Sequence, residues 1–104
     1  MKYNQRTAIL NRMNRAGIPF SLAQSGNKKK HYVEVKQIVI QLLYFVEGLT
    51  QAEIADLLNT TQATVSRSMA SFAAILKSEN YPDFLKKYND WKLKYKAAKH
   101  HDDQ

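Results

Sequence analysis

Gln62, Ala63, Ser66 and Arg67 stand at positions i, i+1, i+4 and i+5, the spacing that puts four side chains on one face of a helix. Each is either short or able to hydrogen-bond, and Ala70 extends the face by a turn. Such a surface can enter the major groove of a duplex, where Gln pairs with adenine and Arg with guanine edges. Thr50, Gln51, Thr61 and Thr64 flank it with groups that suit a phosphate. The amides exposed behind a Thr61 cap add to that attraction. Catalysis has no comparable pattern. The histidines are His31, His100 and His101, there is no cysteine, and no Gly-rich loop could cradle a phosphate. His100, His101, Asp102 and Asp103 could ligate a metal in principle, but they lie at a polar terminus with nothing apolar to fix them. The expectation is a chain that is not an enzyme and uses neither metal nor cofactor.

The elements that must position this face lie between Leu49 and Phe72. Thr50 followed by Glu53 is a capping box. Ile54, Leu57 and Leu58 give an apolar face at helical spacing, and Ala55 is small where two helices cross. Asn59 tolerates the left-handed conformation that ends a helix. Thr60 and Thr61 can cap a second helix, whose buried stripe is Val65, Met69, Phe72 and Leu76.

GLTQAEIADLL followed by ATVSR resembles the three-helix core of LuxR-type regulators and of sigma-factor region 4. LTQAEIADLLNTTQATVSR is also similar to the helix-turn-helix of the Trp-repressor family. The resemblance covers residues 36 to 76, about two-fifths of the chain. It implies a DNA-binding fold whose second helix reads bases, with RNA polymerase as a further partner in the sigma-like case. Asn59 stands where the family usually has Gly, and Thr60 where it usually has an apolar residue. The Trp-repressor likeness carries no ligand site over, because no ligand residues match.

The 104 residues carry a net charge of +7, distributed unevenly. Residues 1–33 hold Lys2, Arg6, Arg12, Arg15, Lys28, Lys29 and Lys30 and no acid. Residues 34–76, which contain the base-reading face, are net negative. Phosphate attraction must therefore come largely from the N-terminal third, with Lys28, Lys29, Lys30, Arg12 and Arg15 as candidates. Without cysteine there are no disulfides or thiolate metal sites, which suits a reducing cytoplasm. No apolar run reaches membrane-spanning length, and the N-terminus is too polar for a secretory signal.

Residues 2–16 form a helix with an incomplete stripe of Tyr3, Ile9, Leu10 and Met13, stopped by Gly17. It could pack on the core, reach DNA as an arm, or swap onto a partner. Ile18, Phe20 and Leu22 alternate, as do Val33 and Val35 around Glu34, and Ser25-Gly26-Asn27 lies between. That pattern predicts a short β-hairpin over residues 18–35 with the three lysines at its tip; an ordered basic loop is the alternative. Residues 36–47 form a helix apolar nearly all round, hence central. After a break at Ser78–Tyr81, Pro82 starts a last helix over residues 83–99. Phe84, Tyr88, Trp91 and Tyr95 line it as an aromatic stripe, which covers either the chain's own core or a dimer seam. Residues 100–104 read as a disordered tail.

The reading is one mostly α domain with a small β-hairpin. The expected function is sequence-specific binding of double-stranded DNA by a homodimeric transcriptional regulator, bacterial or phage-encoded and associated with the nucleoid in the cytoplasm. The rivals are a DNA-binding accessory subunit of phage packaging or recombination, and a polymerase-interacting module like sigma region 4.

Overall fold

The computed structural model describes residues 3–102. The expected helix start at Lys2 and the last two tail residues, 103 and 104, lie outside the described residues. Six helices follow one another: α1 Tyr3–Arg15, α2 Phe20–Ala23, α3 Lys30–Phe45, α4 Gln51–Leu57, α5 Gln62–Lys77 and α6 Pro82–Asp102. Helix α6 thus continues through His100, His101 and Asp102, past the expected end at 99.

Helix α3 is the axis. Val35, Ile38, Val39, Leu42 and Leu43 recur at helical steps and are all fully buried, with Ile40 buried beside them. Helices α2, α4, α5 and α6 all pack on α3, and α1 lies across α2 and α6. From α1, Ile9 and Met13 reach the core. Gly17 ends that helix at φ +73°. Ile18 N–H donates back to the Met13 carbonyl (2.9 Å) and Gly17 N–H to Asn14 (3.1 Å), the two bonds of a Schellman stop.

The expected β-hairpin over residues 18–35 is not formed; the stretch holds α2 and the start of α3 joined by an irregular turn, and the described residues contain no strand. Two physical reasons account for the difference. Over five residues an alternating and a helical pattern cannot be told apart. Here the buried pair is Phe20 and Ala23, three apart, on the short α2. On the other side, Tyr32, Val33, Glu34 and Val35 are the opening turns of α3. Val35 begins the buried stripe, while Val33 is 48% exposed. The turn chemistry at Ser25–Asn27 is real but serves a helix start. Asn27 N–H donates to Ser25 Oγ (3.1 Å), and Lys29 N–H donates to Asn27 Oδ1 (2.9 Å) immediately before α3.

Candidate nucleic-acid interface

Helices α4 and α5 are set by their ends. Thr50 Oγ1 accepts from Glu53 N–H at 3.1 Å and Glu53 Oε1 accepts from Thr50 N–H at 3.0 Å, a complete capping box. The Thr50 backbone bond, then its hydroxyl, holds the Glu53 carboxyl below its usual range. At the far end Asn59 takes φ +54°. Thr60 N–H donates to the Ala55 carbonyl (2.9 Å) and Asn59 N–H to Asp56 (3.3 Å), so Asn performs the stop that Gly performs elsewhere. Thr61 Oγ1 then accepts from Thr64 N–H (3.1 Å) and caps α5. Ile54, Leu57, Leu58, Val65 and Phe72 are buried beneath. Leu76, expected in the buried stripe, is 56% exposed, and neighbouring Ile75 packs on the core instead.

Helix α5 therefore shows three surfaces. Its outward face is Gln62, Ala63, Ser66, Ala70, Ala73 and Ala74, all exposed and none longer than Gln. One flank turns toward the start of α4, where Gln62 shares a shallow hollow with Thr50, Gln51 and Tyr44. Gln51 Nε2 rests on Met69 Sδ at 3.6 Å. The opposite flank turns toward the first half of α3. There Thr64, Arg67, Ser68 and Ser71 face Lys28 and Lys36 across an open groove of about 470 Å³. Arg67 Nη2 leans onto Thr64 Oγ1 at 3.4 Å, and the Thr64 hydroxyl also bonds Thr61 Oγ1 at 2.9 Å.

The remaining expected contacts separate. Lys28, Lys29 and Lys30 are exposed just before and at the start of α3, and Lys28 lines the groove beside Arg67. Arg12 is held elsewhere: its Nη1 bonds both carboxylate oxygens of Glu47, at 2.8 and 3.0 Å. Arg15 sits at the end of α1 beside Ala98 and His101 of α6. In the aromatic stripe, Phe84, Tyr88 and Tyr95 are buried and Trp91 is half-buried against the core. Phe72 of α5 meets Phe84 and Tyr88 edge-on, with ring centroids 6.1 and 4.8 Å away.

Sequence reasoning missed the Glu47 cluster. The Glu47 side chain is only 4% exposed. Besides Arg12 it accepts the Tyr95 hydroxyl, and Lys99 Nζ lies 3.7 Å from its second oxygen while bonding the Val46 carbonyl at 3.0 Å. Burial, then the bond to Glu47, pushes the Tyr95 phenol far above its ordinary value. The signal was present: Glu47 is the one acid in the run IVIQLLYFVEGL, and an acid ending so apolar a helix needs partners. Lys36, Ser68 and Ser71 were also passed over, because each looks like an ordinary solvated side chain until the groove is seen.

The family model of sigma-70 region 4, a helix-turn-helix DNA-binding region, matches residues 35–71. The match runs from Val35 on α3 through α4 to Ser71 on α5, and it bears out the resemblance to sigma-factor region 4 and the helix-turn-helix superfamily. No curated protein and no solved structure gives a significant match to the chain.

Proposed function

We propose that this protein is a transcriptional regulator that reads double-stranded DNA by laying α5 in the major groove. The observation that carries the reading is the outward face of α5, with short or hydrogen-bonding side chains on a helix fixed at its start by the Thr61 cap. Gln62, Ala63, Ser66 and Ala70 of that face lie inside the segment that matches a DNA-binding family. Gln62, Ala63 and Ser66 meet base edges in this reading, while Thr50, Gln51 and the amides behind Thr61 meet the backbone of the strand on the α4 side. The homodimer expected from the aromatic stripe loses its motive, since most of that stripe is buried within the chain. The reading is therefore of one recognition helix, and one half-site, per chain. Gln62→Ala tests it: affinity for a preferred duplex should fall about tenfold, and preference should relax at one base pair. An equal loss on every sequence would count against base reading by α5.

The identity of the matching family favours a second reading, a module that docks on RNA polymerase. Sedimentation of the protein with core polymerase in the absence of DNA separates the two. Co-sedimentation supports the docking module, and independent sedimentation leaves the DNA reader.

A further inference from the structure

We infer that the groove between the first half of α3 and the adjoining flank of α5 carries the sugar-phosphate backbone of one DNA strand, held by Lys28, Lys36 and Arg67. The inference rests on the DNA-binding reading and extends it to the strand opposite the one met by α4.

Charge is the first argument. Lys28 and Lys36 line one bank and Arg67 the other, and no acidic residue is among those lining the groove. Among the described residues neither lysine is in an ion pair. The neighbouring hollow, toward the joint between α5 and α6, mixes Lys28 and Lys30 with Glu34 and Asp83. A polyanion is thus favoured along the first groove and opposed along the second, which commits the strand to one path.

The chemistry of the floor is the second. Thr64, Ser68 and Ser71 offer hydroxyls along the α5 bank, and Gln37 closes the space beneath by donating to the Ser68 carbonyl at 3.5 Å. Hydroxyls and a guanidinium on one bank, facing ammonium groups on the other, are what phosphate oxygens accept from. The lining runs along α5 from Thr64 to Ser71, about 10 Å at 1.5 Å per residue, with Thr60 just before the helix, enough for about two consecutive phosphates.

The third is position. A helix in the major groove has a phosphate backbone on each side. The α4 flank presents Thr50, Gln51, Tyr44 and Gln62, none charged. The cations belong to the other flank, so that strand supplies most of the counterion release. Arg67 changes role accordingly. Leaning on Thr64, it borders the groove beside Lys28 and Lys36, so it holds a phosphate rather than a guanine edge.

The test is the salt dependence of affinity for two duplexes, one selected by the native protein and one scrambled. Lys36→Gln should flatten the slope of log K against log salt by about 0.9 on both duplexes. Arg67→Lys should keep both the slope and the ratio between duplexes, because an ammonium serves a phosphate as a point charge. Ser71→Asp should weaken both duplexes alike. An unchanged slope in Lys36→Gln, or an Arg67→Lys variant that keeps its slope but loses its preference, would overturn the groove and leave base reading by α5 standing. A native protein that binds without preference would sink the base-reading proposal while the slope still decides the groove. A native protein that binds neither duplex would overturn both.

Discussion

The two ends of α3 use charge in opposite ways. At its start, Lys28, Lys29 and Lys30 are exposed and none is in an ion pair among the described residues. At its finish, Glu47 is buried and bound by Arg12, Tyr95 and Lys99, drawn from α1 and α6. Glu47 joins the first and last helices to the chain just before the capping box of α4, so its charge serves the scaffold. The lysines contribute nothing comparable to the scaffold and remain available to a polyanion. Cations that look alike in a sequence thus divide by whether an acid is folded against them. Arg12 falls on one side of that division and Lys36 on the other.

The comparison can be broken from either end. The largest effect belongs to Glu47→Ala, which leaves Arg12 beside a vacated site. Breaking a buried pair in this way should cost about 3 kcal/mol in chemical denaturation; a loss below about 1 kcal/mol would make the cluster a surface feature. The Tyr95 phenol adds a pH dependence of known sign. Its folded pKa is raised, so its contribution is complete below the unfolded value near 10 and declines as pH climbs above that. Tyr95→Phe should remove that part of the alkaline decline.

Replacing Lys28, Lys29 and Lys30 together with Gln should change stability by no more than about 0.5 kcal/mol. The same change should weaken every duplex and flatten the salt slope by up to about 0.9 per lost contact. A large loss of stability would erase the contrast between the two ends. Thr50→Ala should cost about 1 kcal/mol through loss of the N-cap, and it should let the Glu53 carboxyl return toward its ordinary range. That carboxyl is depressed, so its contribution is present above its unfolded pKa and is lost as pH falls through the lower folded value.

The smallest effect lies midway along the same helix. Gln41 is buried, and its Nε2 has no partner among the described residues. Gln41→Met should be neutral or stabilising, by up to about 1 kcal/mol, since an unmet buried donor is removed. A clear destabilisation in thermal melting would reveal a bond to that amide.

What was legible in the sequence follows the same division. Local devices could be read outright: the Thr50–Glu53 box, the stops at Gly17 and Asn59, the Thr61 cap and the Pro82 start all depend on neighbours within a few residues. The stretch from Ile18 to Val35 failed because its apolar residues are too few to fix a period. Whether it becomes strand or helix depends on α3 continuing unbroken from Lys30. The Glu47 cluster joins residues 35 to 52 positions apart, and the groove pairs Lys36 with Ser71, so neither leaves a local trace. Base-reading candidates could be named from types and spacing alone. Which cations stand beside them could not, because that depends on how α3 crosses α5.

The most direct test of the central claim is selection of bound sequences from a random duplex library at near-physiological salt. Base reading by α5 predicts an enriched short half-site whose preference at one base pair is lost in Gln62→Ala. An enriched palindrome would keep the claim and add a dimer, with half-sites about 34 Å apart. Recovery of the library unchanged, with binding that vanishes as salt rises, would contradict base reading by α5.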